Sequence, residues 1–212
     1  MKIKSLNHYK TKYDKLHVKC NLKDNVASYT VNSAAYNIKF VSEQTEEICL
    51  AAVQQDGLAL MYVRKQTPEI CLAAVKQNGY ALALVKEQTE EICLAAINEN
   101  SNILKFVHNQ TEEICLAALK KNSSNLMFII DQTEEMCLTS VKKDGYALRY
   151  VKDQTEKICL AAVKENGHAL QFVLEQTPEI CLAAIDSDAS TLMFVNEKLF
   201  YENHKKLLEG LE

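Results

Sequence analysis

The sequence predicts an all-α protein, an α-solenoid of tandem 22-residue helical hairpins. Three observations predict it. The phrase QTEEICLAAV returns with small changes from Gln44, Gln66, Gln88, Gln110, Gln132, Gln154 and Gln176, each start 22 residues after the last. A fixed period of this size marks stacked supersecondary units rather than one globular core. Each unit pairs a helix-start signal with a later turn signal, so its natural form is a hairpin. Finally, five glycines, two prolines and 25% charged residues in 212 positions exclude collagen-like and Pro/Gly-rich polymers and lie in the range of ordinary globular chains.

Taken in order, residues 1–24 form a basic N-terminal segment. It holds seven lysines against Asp14 and Asp24, so a chain of net charge -4 has +5 there and -9 on the remainder. Tyr9, Tyr13, Leu16 and Val18 could pack on the first unit, or the segment could be a loose tail. Residues 25–43 keep the spacing in degraded form, with Val26 in the isoleucine position and Ile38, Phe40 and Val41 matching the second helix, and read as a degenerate capping repeat. Residues 44–197 are seven tandem hairpins. Residues 198–212 place Leu199, Phe200, Leu207, Leu208 and Leu211 among charges, the pattern of an amphipathic C-terminal capping helix.

Within one unit, Gln66 to Glu87, Thr67 is a natural N-cap, and Pro68 follows where its missing N–H costs nothing. Pro178 follows Thr177 in the same way, while Glu46 and Glu90 hold that position elsewhere and suit the positive end of a helix. Ile70 to Val75 are apolar on nearly every side, as expected of a short helix pressed between neighbours. Asn78-Gly79 closes the helix, the glycine being suited to a left-handed C′ position. Ser101, Ser123 and Ala189 replace that glycine in three units, so those turns should differ or be strained. The second helix is expected over Tyr80 to Glu87, with Leu82, Leu84 and Val85 facing the core. Leu104, Phe106 and Val107, or Leu126, Phe128 and Ile129, stand in equivalent places. The repeated glutamines fall between successive hairpins, where their amides can bridge turns.

These residues, QTxEICLAAVKxNGxALxxVxE in tandem over about 44–197, resemble the helical-repeat family catalogued as domain of unknown function 4116, typical of giant DNA viruses and found also in some bacteria and protists. The resemblance implies an α-helical repeat protein acting inside a host cell, with no enzymatic activity. Met136, Thr139, Ser140 and Lys157 depart from the pattern without breaking it.

The residues point the same way on chemistry. The paired glutamates, such as Glu46/Glu47 and Glu112/Glu113, recur in one environment, whereas acid–base catalysis needs two different ones in a cleft. Cys49, Cys71, Cys93, Cys115, Cys137, Cys159 and Cys181 share one repeat position and read as small buried hydrophobes in a reducing compartment. Only Cys20, after His17, has a histidine near it, too little for a zinc site. His108 and His168 have no obvious Asp or Asn partner. No catalytic residue, metal or cofactor is therefore expected. The start MKIKSLNHYK has no secretory apolar core, and no apolar run approaches the roughly 20 residues of a membrane span. The expected location is cytoplasmic, in the host cell if the chain is viral.

Function should lie where the repeat varies. One column opens the second helix: Leu58, Tyr80, Asn102, Ser124, Tyr146, His168, Ser190. Another lies three residues on: Met61, Ala83, Lys105, Met127, Arg149, Gln171, Met193. That spacing puts both on one face. Leu58, Met61, Tyr80, Lys105, Met127, Tyr146, Arg149, His168, Gln171 and Met193 are the candidate partner-binding residues, and Met, Tyr and Arg are typical of protein interfaces. The sequence thus predicts a non-enzymatic scaffold for protein–protein interaction, its partner a host or viral protein. An RNA-binding repeat protein and a self-assembling structural component are the alternatives. Lys120, Lys121, Lys142, Lys143 and Lys164 form a second patch, placed to meet an acidic partner or to balance helix C-termini.

Overall fold

The computed structural model describes residues 19–21, 28–30 and 35–196. The basic segment before residue 19 and the expected closing helix at 198–212 lie outside them. Two three-residue strands come first, β1 (Lys19–Asn21) and β2 (Ser28–Thr30), antiparallel, with Cys20 opposite Tyr29. Thus Ser28–Thr30, inside the stretch read as a degenerate helical repeat, is extended. Its second half is helical as expected, over Ala35–Phe40.

Each repeat threonine begins an α-helix: α1 (Glu46–Gln55), α2 (Pro68–Gln77), α3 (Glu90–Glu99), α4 (Glu112–Lys121), α5 (Glu134–Val141), α6 (Glu156–Glu165) and α7 (Pro178–Ser187). Thr67 keeps an extended backbone while its Oγ1 accepts a hydrogen bond from the Ile70 N–H at 3.3 Å, satisfying one orphan donor of the first turn. The same bond recurs in every other repeat.

The second helix of each hairpin is a 3-10 helix, not the α-helix Tyr80–Glu87 expected. These are η1 (Ala35–Phe40), η2 (Gly57–Tyr62), η3 (Gly79–Leu84), η4 (Ser101–Phe106), η5 (Ser123–Phe128), η6 (Gly145–Tyr150), η7 (Gly167–Phe172) and η8 (Ala189–Phe194). The joint explains the change. Asn78 is extended (φ -151°, ψ 110°). Its N–H donates to the Ala74 carbonyl at 2.9 Å, ending α2, and its Oδ1 accepts from the Tyr80 N–H at 3.0 Å, starting η3. One residue therefore serves two helices, and only six residues remain before Val85, a length that suits the tighter helix. Three residues per turn then put Gly79, Leu82 and Val85 in one row, all buried.

The glycines are needed for proximity rather than for a left-handed backbone, which none of Gly57, Gly79, Gly145 and Gly167 adopts. A Cβ on Gly79 would stand 2.8 Å from the Ala96 carbonyl oxygen and 2.9 Å from Asn100 Cβ of the next repeat. Where Ser123 takes this place, the facing helix α5 has eight residues instead of the usual ten. A turn follows it, with the Lys143 N–H donating to the Ser140 carbonyl at 3.2 Å, and Ser123 Oγ donates to Asp144 at 3.4 Å. That junction differs from the others, but the α-helix that follows Ser101 keeps ten residues, so the serine alone does not account for it.

The described chain falls into two compact units, Met1–Asn109 and Gln110–Glu212. In each, hairpins pack in chain order as an α-solenoid, α1 to α3 with η1 to η4 in the first and α4 to α7 with η5 to η8 in the second. Glutamines fasten the stack. Gln88 Nε2 donates to the carbonyls of Leu82 (3.2 Å) and Phe106 (2.9 Å), and its Oε1 accepts from the His108 N–H at 3.0 Å. Gln132, Gln154 and Gln176 repeat this pattern in the second unit. Each amide adds a second donor to the leucine carbonyl that already accepts the closing N–H of its 3-10 helix and reaches the last carbonyl of the next one, and a typical bond contributes about 0.5–1.5 kcal/mol net.

Candidate functional site

The 3-10 helices carry all ten candidate residues. Met61, Tyr80, Lys105, Met127, Arg149, Gln171 and Met193 are exposed, while Leu58, Tyr146 and His168 are half-buried. In a 3-10 helix positions i and i+3 eclipse one another, so Tyr146 and Arg149, or His168 and Gln171, stand in line along one edge. The Gln171 amide also donates to the His168 carbonyl at 2.9 Å.

A third row belongs to this face. Tyr62, Leu84 and Phe106 in the first unit, and Phe128, Tyr150, Phe172 and Phe194 in the second, are half-buried at its edge. The sequence reading placed Leu84, Phe106 and Phe128 in the core. The signal that would have found them is period three: they follow the Leu of the buried Gly–Leu–Val row by two and are not on it.

These rings organise the variable columns. Tyr80 meets Phe106 of the next repeat edge-on, centroids 6.3 Å apart, and Lys105 Nζ lies 5.0 Å from the Phe106 centroid. Tyr146 meets Phe172 in the same way at 5.9 Å, and the Arg149 guanidinium lies 4.8 Å from the Tyr150 centroid and 5.9 Å from that of Phe172. His168 meets Phe194 at 5.7 Å. Lys39 stands over Phe40 and Tyr62 at 4.7 and 5.7 Å. At exposed sites each cation–ring contact is worth about 0.5–1 kcal/mol, enough to hold a cation near its ring and leave it available to a ligand.

His168 has a partner that its own repeat does not show. Nδ1 lies 3.5 Å from Asp188 Oδ2, and Nε2 lies 3.4 Å from Ser190 Oγ. Asp188 also caps η8, and hydrogen bonds from the Ser190 hydroxyl and N–H hold its carboxyl below the usual range. The order Ser–His–Asp is that of a nucleophilic relay, yet both contacts exceed the roughly 2.6–3.2 Å such a relay uses. They join two repeats.

The seven repeat cysteines are buried and free. Burial, reinforced by the nearby Glu112, pushes the Cys115 thiol up to about 11, away from the thiolate that reactivity requires. Their thiols also reach the ladder: Cys137 Sγ donates to Gln132 Oε1 at 3.7 Å, a contact the reading of cysteine as a plain hydrophobe missed. Of the lysine patch, Lys143 Nζ donates to the carbonyls of Lys120 and Lys121 at the end of the preceding helix. Among the described residues no three His, Cys, Asp or Glu side chains converge as a metal site would need, and no helix is long and apolar enough to cross a membrane.

Stacked hairpins with fixed joints and a variable outer row define a tandem helical-repeat scaffold. The model of the family described as domain of unknown function (DUF4116) matches residues 45–89, 68–111, 111–155 and 133–177. The chain belongs to that family. Neither the curated proteins nor the solved structures contain a significant match.

Proposed function

We propose that the chain is a non-enzymatic scaffold that binds another protein through the outer face of its 3-10 helices. One observation carries this reading: the side chains free to vary are gathered there, with large apolar groups left in water, Met61 at 55%, Met127 at 51% and Met193 at 76% exposure. Stacking needs none of the three methionines, and a solvated face has no use for them. Exposed Met, Tyr and Arg are also the residue types enriched at protein interfaces. The Ser190–His168–Asp188 trio is assigned to inter-repeat contact, and no cofactor is called for.

The test is affinity capture from cell lysate with the wild-type protein beside a Tyr80→Ala, Met127→Ala, Arg149→Ala, His168→Ala variant of equal helicity by circular dichroism. A protein retained by the first and lost by the second supports the proposal. Equal capture by both removes the face from the function, and salt-sensitive capture of RNA instead favours the nucleic-acid reading.

A further inference from the structure

The face repeats at a longer interval than the hairpin. Leu-Met-aromatic stands at Leu60-Met61-Tyr62, Leu126-Met127-Phe128 and Leu192-Met193-Phe194, and Gly-Tyr-Ala-Leu stands at 79–82 and 145–148, each recurrence three hairpins on. The geometry repeats with the sequence. In the first unit the Tyr80 ring, the Phe106 ring it meets edge-on, and Lys105 over that ring form one cluster. In the second unit Tyr146 and Phe172 meet at nearly the same angle, 75° against 74°, and Arg149 lies over the Phe172 ring; the cation here comes from the tyrosine's own hairpin, whereas Lys105 comes from the phenylalanine's. An exposed methionine precedes each by one hairpin, Met61 and Met127.

Within the 3-10 helices fixed charge is of one sign, although Asp56, Asp144 and Asp188 cap three of them. From η1 to η8 the 3-10 helices contain no Asp or Glu, and their fixed charges are Lys39, Lys105 and Arg149. This is not inherited from composition, because acidic residues outnumber basic ones 28 to 24 over the chain. The acids gather instead at the starts of the α-helices, as at Glu90, Glu91, Glu134 and Glu135.

We propose that each unit carries one binding site built on this ring pair with a cation beside it, and that the site takes an acidic peptide segment bearing an apolar side chain. The proposal rests on the scaffold reading above and extends it to the partner's chemistry and to two segments per chain. A carboxylate pairs with Lys105 or Arg149, which its ring already holds in place. The adjoining apolar side chain lies against the tyrosine and methionine, where displaced water adds to the attraction. A single cation among rings and thioethers matches one carboxylate beside a hydrophobe, whereas a polyphosphate strand needs a row of cations.

The experiment selects random peptides of about twelve residues, displayed on phage, against the full-length protein, and then titrates the most enriched synthetic peptide by calorimetry. The expected result is enrichment of Asp or Glu beside Leu, Met, Ile or Phe, and two peptides bound per chain. Tyr80→Ala with Lys105→Ala should leave one, as should Tyr146→Ala with Arg149→Ala. The exposed charge reversals Lys105→Glu and Arg149→Glu, which leave the rings packed, should each weaken one site about tenfold or more. Enrichment of basic sequences, no enrichment, one peptide per chain, or tighter capture of an oligo(U) RNA probe overturns the proposal. An acidic peptide that binds all variants equally overturns the scaffold reading itself, because the binding surface then lies elsewhere.

Discussion

Single residues show how closely each position is specified. The alanine column Ala52, Ala74, Ala96, Ala118, Ala162 and Ala184 is interrupted by Ser140, whose Oγ is buried without a hydrogen-bond partner. Burying an unpaired hydroxyl costs about 1–3 kcal/mol. Ser140→Ala should therefore raise stability by about 1 kcal/mol, read as a higher urea midpoint at unchanged m-value; an unchanged or lower midpoint would show that the hydroxyl is satisfied. The cysteines give a pH prediction. In the folded chain the Cys115 thiol titrates near 11 rather than at its ordinary 9.0, and burial likewise raises the other six of its column. Between these values the unfolded chain loses protons that the folded chain keeps, so the stabilisation is complete below about pH 9 and declines as pH rises toward 11. Thermal melts should show Tm falling across that window, and replacing Cys115 with alanine should make the fall shallower.

The hairpin's two helices were unequally legible. Thr67, Pro68 and the apolar run after them signalled an α-helix at the right place, since capping and burial are both local properties of sequence. The second helix was misread because six residues cannot display a 3.6-residue period against a 3-residue one, and only the Gly79–Leu82–Val85 row reveals the difference. His168 and its partner Asp188 lie 20 positions apart, and the thiol contact to Gln132 depends on side-chain placement, so neither is a pattern in the linear sequence. The candidate columns were legible as variable positions, yet the rings that support them were not, because an aromatic at a packed edge looks like core. The glycine joint supplies a prediction here. Gly79→Ala drives a methyl against backbone of the next repeat, an overpacking that costs about 1–3 kcal/mol. The variant should melt lower with helicity retained in the folded baseline; unchanged stability would mean that the joint can open freely.

Each unit gains stability from neighbouring repeats, so the same substitution should weigh differently along the chain. Leu148 is fully buried between repeats, whereas Leu192, its counterpart in the last hairpin, is 54% exposed. Leu148→Ala should cost about 2–5 kcal/mol, and Leu192→Ala less than about 1 kcal/mol. Chemical denaturation of the two variants separates these values, and equal losses would show that the end hairpin is as firmly covered as the inner one. The two Tyr–Phe pairs with their cations belong at this level too, since on the proposal above each unit offers an acidic segment a site of its own.

The asparagine joint has a consequence for how such a chain can change length. Asn78 ends one helix and starts the next, Val85 closes the 3-10 helix onto Leu82, Lys86 donates its N–H to Gln66, and Thr89 opens the following cap. The backbone positions on either side of the joint are therefore tied to the neighbouring repeats. Such a chain is expected to grow or shrink by whole links, as a watch bracelet does, and a single inserted residue would break the ties at its joint, in keeping with the spacing of 22 at all six junctions from Gln44 to Gln176.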